Sequence, residues 1–283
     1  MTRSDIITLG SGRAEKPNED VALADDDRAV FLVVDGVSST AVGGVYPTPS
    51  PGLAAAQAFG DAAAVELMRE STIDELWASL RTAVEAGNDA VLAINAQRRS
   101  LIDYVAVDSA CCVATVARIR AGRLYVAHSG DGAAYIVRSR TVSRITSDHL
   151  AHCRSHFRRR PCEADEVYFP RVRRDFRNNL RASVDDCPVG YGVYDGDRRA
   201  LEFVDYLSIA LRPHDRVLIT TDGLASAPEV IERTVVRAAD AARTAFLQKL
   251  ADESDRAIAT GELKADDRTA IFIDYDAPAG RTA

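Results

Sequence analysis

The chain of 283 residues is long enough for one large domain with a substantial core, or for a domain carrying an inserted subdomain. Its 47% hydrophobic and 27% charged residues are those of an ordinary globular protein, and no apolar run approaches the ~20 residues of a membrane span. A formal net charge of −7 argues against general nucleic-acid binding, which needs a basic face, and five cysteines without a C-x-x-C pair suit a reducing compartment rather than a disulfide framework.

Residues 1–5 lead into a short strand pattern at Ile6-Ile7-Thr8-Leu9 instead of the apolar stretch of a signal peptide, so a cytoplasmic protein is expected. Strands are expected next at Val21-Ala22-Leu23 and over 29–34, the second continuously apolar and so buried on both faces, ending at Asp35-Gly36. Residues 38–52, rich in Gly, Pro and Ser, read as a long loop. The alanine-rich stretch 53–68 reads as one helix, and Ser71-Thr72-Ile73-Asp74-Glu75 offers capping groups for a second that runs to Arg98, the two forming an antiparallel pair. Short apolar or β-branched segments at 110–119, 124–128, 133–138 and 142–145 read as an antiparallel meander. Residues 154–181 are irregular, arginine-rich and contain Pro161 and Pro170, as expected of an insertion or flap. Strands are expected again at 201–210 and 216–221, helices at 228–239 and 240–259, and a closing strand at 269–275. This order favours a layered α+β fold over a parallel βαβ sheet, with both helix pairs covering faces of stacked antiparallel sheets.

Four places put carboxylates at strand ends: Asn18-Glu19-Asp20, Asp35-Gly36, Thr221-Asp222-Gly223 and Asp266-Asp267-Arg268-Thr269. Taken singly, each reads as a turn, since Asp bonds its own backbone and Gly tolerates positive φ. Asp35 and Asp222, however, follow strongly apolar strands, and a carboxylate at the end of a buried strand must be hydrogen-bonded, solvated or metal-bound. Oxygen ligands without His or Cys partners suit magnesium or manganese rather than zinc.

At these residues the chain resembles the type 2C, metal-dependent protein phosphatases. The resemblance is carried by Asn18-Glu19-Asp20, Val33-Val34-Asp35-Gly36-Val37, the segment ending His128-Ser129-Gly130-Asp131, Ile145-Thr146-Ser147-Asp148-His149, the segment ending Thr221-Asp222-Gly223-Leu224, and Asp266-Asp267-Arg268-Thr269-Ala270, in the family's order and across nearly the whole chain. It implies a four-layer αββα sandwich of two mostly antiparallel sheets flanked by antiparallel helix pairs, as a single catalytic domain over 1–283 with a variable arginine-rich flap at about 150–200. It also implies hydrolysis of phosphoserine and phosphothreonine in proteins, opposite a serine/threonine kinase, with no nucleic-acid or membrane partner. Two Mn2+ or Mg2+ ions are implied. Asp35 would bridge them, Glu19 and the Gly36 carbonyl would complete one site, and Asp222 and Asp266 the other. Asp20 would hold a metal-bound water. Two such ions about 3.5–4 Å apart acidify a bridging water and clamp the phosphoryl oxygens. Asp266 rather than Asp267 is the ligand when counted back from Thr269, with Asp267 as the fallback.

Four departures from the family pattern weaken that picture. Glu15 stands where many members carry a phosphate-gripping arginine, leaving Arg13 and Lys16 as the phosphate-binding candidates. Val37 replaces a histidine that would protonate the leaving group. The altered Gly130-Asp131-Gly132-Ala133 is read as shaping the fold more than the chemistry. A third metal-binding aspartate is expected just before the strand at 110–119, where Asp108 lies near but out of register. A catalytically weak or inactive pseudophosphatase that binds phosphorylated partners is the alternative. His149, His152, Cys153 and His156 could imitate a zinc site if they shared one helix face. The arginines of 154–181 read either as a solvated surface or as selectors of acidic substrates.

Overall fold

The computed structural model describes residues 2–39 and 45–276. Residues 40–44 of the expected loop 38–52 therefore lie outside the described residues, as do both ends of the expected 1–283 domain. In chain order the elements are β1 (Thr2–Leu9), β2 (Val21–Asp25), β3 (Val30–Gly36), α1 (Pro51–Leu67), α2 (Leu76–Arg98), β4 (Cys112–Arg120), β5 (Arg123–Ser129), β6 (Ala133–Arg138), β7 (Thr141–Arg144), α3 (Asp165–Pro170), β8 (Ser183–Val184), β9 (Cys187–Pro188), β10 (Asp205–Ala210), β11 (Arg216–Thr220), α4 (Asp222–Ala225), α5 (Pro228–Ala238), α6 (Arg243–Thr260) and β12 (Arg268–Tyr275).

Two five-stranded sheets form, in the orders β1-β12-β11-β6-β7 and β10-β5-β4-β3-β2, and every strand pair in them is antiparallel. The alternation of side chains along each strand explains the layering. Along β3, Val30, Leu32 and Val34 face the α1/α2 pair, while Phe31 and Val33 face the other sheet. Along β12, Ala270 and Phe272 face the α5/α6 pair, while Ile271 and Ile273 meet the sheet that contains β3, β4 and β5. Strands buried on both faces need continuous apolar runs, which is the pattern at 30–34. The helices cover the outer faces through apolar stripes such as Ala56, Phe59, Ala63 and Leu67 on α1. At Gly87 of α2 a Cβ would stand 2.5 Å from the Phe59 ring, so only glycine lets α2 approach α1 this closely. The α+β sandwich expected from element order is the observed architecture.

Two expectations are corrected. The segments 110–145 do not form one meander: β4 and β5 pair in one sheet, but the chain then crosses at Gly130-Asp131-Gly132 and lays β6 and β7 into the other. Gly130 makes that crossing with φ +103, a conformation L side chains rarely adopt, and a Cβ there would stand 2.5 Å from Val113. The strand expected over 201–210 is shorter, because Arg198–Phe203 winds as a 3-10 helix capped by Asp197 before β10 begins.

Candidate active site

The sandwich brings four strand ends to one edge, two from each sheet. Asp35-Gly36 closes β3, Asp131 follows β5, Asp222 follows β11 and opens α4, and Asp266-Asp267 precedes β12. Asp35, Gly36, Asp131, Asp222 and Asp266 line a cavity of about 290 Å³, roofed on the flap side by Leu150, Phe157 and Tyr191.

The carboxylates repel one another there. Asp35 and Asp222, both buried, are close enough for each carboxyl to act on the other's ionisation. Burial, with the charges of Asp222, Asp20 and Asp131 adding to it, holds Asp35 well above the usual carboxylate range. Burial also raises Asp222, with Asp35 as a hydrogen-bond partner opposing and Asp266 adding to the rise. Asp131 is pushed up to about 7 by burial and then by Asp222. Asp20 is pushed up to about 7 by burial, against hydrogen bonds from Thr221 and Thr269. A buried, crowded, all-oxygen donor set of this kind fits a hard divalent cation. Among the described residues no three His, Cys, Asp or Glu side chains are already arranged as a closed metal-binding group, so the acids would have to draw together around an ion.

Asp20 is buried behind the cavity, where Thr221 Oγ1 donates to it at 2.9 Å. Asp267 is saturated: Oδ1 accepts Ser11 N–H at 2.7 Å, and Oδ2 accepts Glu19 N–H at 3.0 Å and Lys16 Nζ at 2.6 Å. Asp266, by contrast, keeps 30% of its side chain exposed at the cavity. Glu19 is fully buried and is not among the cavity's lining residues. Arg13 is exposed and is not brought into the lining, and Glu15 is likewise exposed. Lys16 reaches the cavity with its ammonium already paired to Glu19, Asp266 and Asp267. Val37 lines the wall and offers no proton.

Sequence reasoning missed one cavity residue. Asp131 was assigned to the fold, yet its carboxylate lies among the acids; the available signal was a third Asp-Gly following an apolar strand, the pattern already noted at Asp35 and Asp222. Arg154 pairs with Asp131 at 3.3 Å and Asp148 at 2.8 Å while half exposed at the rim. Asp108, expected near a third metal, is instead held bidentately by Arg177 at 3.0 Å to each oxygen, and by Arg173 at 3.2 Å. Removing one partner of a buried pair strands the other charge, so Arg177→Ala should lower stability by about 3–5 kcal/mol. Urea unfolding checks this, and a change under about 1 kcal/mol would show that Arg173 alone suffices. Of the other flap arginines, Arg171 is tied inward to Glu163 at 2.8 Å, whereas Arg158, Arg159, Arg160, Arg174 and Arg181 are exposed, Arg159 pairing with Asp165 at the surface with its guanidinium 4.7 Å from the Tyr168 ring centre. His149 pairs with Asp205 and His152 with the Gly190 carbonyl, so the four spaced residues do not converge.

The two-sheet sandwich is a fold that this chain shares with solved serine/threonine phosphatases. The profile of the protein phosphatase 2C family matches residues 11–160, more than half of the chain, and the chain belongs to that family. Its fold is similar to that of the serine/threonine phosphatase PstP/Ppp of Mycobacterium tuberculosis, at 20% identity and a TM-score of 0.68 over 98% of this chain and 99% of that one. The PstP catalytic domain in complex with two manganese ions is similar at 20% identity and a TM-score of 0.65, over 98% and 99%. Stp1 from Staphylococcus aureus is similar at 17% identity and a TM-score of 0.65, over 98% and 96%. No curated protein matches in sequence.

Proposed function

We propose that the chain hydrolyses phosphoserine and phosphothreonine in proteins, using manganese or magnesium held by Asp35, Asp222 and Asp266, with the Gly36 carbonyl as a further oxygen and Asp131 as a further carboxylate. The observation that carries this reading is the set of carboxylates that strand ends of both sheets bring to one cavity, foremost the buried pair Asp35 and Asp222 from opposite sheets. Such a pair is costly unless a positive charge is bound. A divalent ion bound there supplies Lewis-acid stabilisation of phosphoryl charge and acidifies a water at neutral pH.

The chain's own residues do the rest. Asp20, held by Thr221, orients the water shell behind Asp35 and Asp222 without touching substrate. Arg154 takes the gripping role read earlier for Arg13 and Lys16: an arriving phosphate exchanges for Asp131 or Asp148 on its bidentate fork. Val37 supplies no acid, so the seryl or threonyl oxygen takes its proton from water. Leu150, Phe157 and Tyr191 restrict water on the flap side. Residues 1–283 act as one catalytic domain, with residues at about 150–200 as its flap. The five unpaired cysteines suit a reducing, cytoplasmic setting opposite a serine/threonine kinase.

Purified protein should turn over an aryl phosphate and a phosphopeptide in manganese and lose both activities in excess chelator; undiminished turnover without metal would rule the reading out. The exposed Glu15 and Arg13 favour one other reading, a protein that binds phosphorylated partners without hydrolysing them. Phosphopeptide binding with no phosphate release in saturating manganese would establish it.

A further inference from the structure

Lys16 stands apart from the rest of the site, because it is a cation placed where the family resemblance puts an ion. Its Nζ lies 2.6 Å from Asp267, 3.2 Å from Glu19 and 3.6 Å from Asp266, with only 5% of the side chain exposed. An ammonium has three N–H donors, and three carboxylates surround this one.

Glu19 is correspondingly full. Each carboxylate oxygen offers two lone-pair directions. Oε1 accepts from Tyr46 Oη at 2.7 Å and from Ser50 Oγ; Oε2 accepts from Ser38 Oγ at 2.8 Å and pairs with Lys16. The backbone closes the remaining approach, since a Cβ on Gly52 would meet Oε1 at 2.8 Å. These partners are built in. Ser50 also caps α1 by accepting from Leu53 N–H, and the Asp267 oxygen that holds Lys16 also accepts the Glu19 N–H. A divalent ion on Glu19 would have to expel a donor from a filled shell and sit beside a fixed ammonium.

We infer that the Lys16 ammonium is the resident cation of the Glu19 position, so that divalent ions load only among Asp35, Asp131, Asp222 and Asp266. Glu19 then holds Lys16 and, through it, the Asp266-Asp267 turn, instead of binding a metal itself. This rests on the metal reading above, and the test separates the two.

Crystals of the wild-type protein soaked in manganese should give anomalous peaks beside Asp35, Asp222 and Asp266, and none within the roughly 2.0–2.2 Å of a metal–carboxylate bond from Glu19. Lys16→Met, which keeps the stem and removes the charge, should bind one more manganese per chain by calorimetry, with a new peak on Glu19. A wild-type peak on Glu19, with Lys16 swung aside, overturns the inference while leaving the metal reading standing; so does Lys16→Met with unchanged stoichiometry. No peak at any of the aspartates overturns both. The wild-type map decides even if the variant does not fold.

Discussion

Asp222→Asn should lower manganese-dependent turnover of an aryl phosphate by at least about a thousandfold, a loss of about 4 kcal/mol of transition-state stabilisation, while leaving the metal-free protein as stable as wild type or more so. The two halves of that expectation come from one cause. Asp222 is buried beside Asp35 and Asp266, so in metal-free protein its charge is a liability. An amide of the same shape removes that charge and can donate a hydrogen bond to Asp35. The backbone bond from Ser226 N–H to the Asp222 carbonyl, which closes α4, survives the change. The ion, however, loses a charged ligand between the two sheets. Steady-state kinetics over a manganese series, paired with thermal melts in chelator, read both halves. Turnover within tenfold of wild type would remove Asp222 from the metal site; a large loss of metal-free stability would make it a structural residue.

The parts of this site that the sequence made legible are those encoded locally. The continuous apolar run 30–34 announces a strand buried on both faces, and a carboxylate directly after such a run is conspicuous, so Asp35 and Asp222 could be singled out from pattern alone. The order of strand and helix segments was enough for the layered α+β fold. Contacts between distant segments were not legible. Lys16 and Asp267 are 251 positions apart, and nothing near either residue says that they meet. The saturation of Glu19 depends on hydroxyls from Ser38, Tyr46 and Ser50, in a stretch that reads only as a loop. The crossing at Gly130-Asp131-Gly132 escaped for a related reason. Period-2 patterning marks a strand but not which of two stacked sheets it joins, so β6 read as the continuation of a meander. Asp131 was misplaced with it. Residues 154–181 divide: Arg154, Arg158, Arg159, Arg160, Arg174 and Arg181 are exposed, as a solvated or substrate-facing surface requires, whereas Arg171, Arg173 and Arg177 are spent on Glu163 and Asp108. Composition cannot tell an arginine facing water from one pinning a flap.

Metal-free protein should lose stability between pH 6 and pH 8, the range in which most proteins are near their optimum, and manganese should reverse the trend. The sign follows from proton uptake. Asp20 and Asp131 are raised from 3.8 to about 7 in the folded state, and Asp35 and Asp222 are raised too. The folded chain therefore binds more protons than the unfolded chain above pH 4, and stability falls as pH rises through the folded values. His128 opposes this: burial lowers it from 6.5 to about 4, so it adds stability as pH climbs through that window, and its contribution is complete by about 6.5. Carboxyls lowered by arginine or backbone partners, Glu163 among them at about 2, change stability only below about pH 4.5. From pH 6 upward the buried acids dominate. A group with a folded pKa near 7 gives up on the order of 1 kcal/mol between pH 6 and pH 8, so Asp20 and Asp131 together account for roughly 2–3 kcal/mol, or about 5 °C in Tm for a chain of this size. Manganese binds the deprotonated acids, so its stabilising effect grows as pH rises. Thermal melts at pH 6, 7 and 8, in chelator and in manganese, give the comparison directly. A metal-free Tm that holds steady or climbs over that range would mean the acids are not electrostatically crowded, and the argument for a cation between Asp35 and Asp222 would lose its footing.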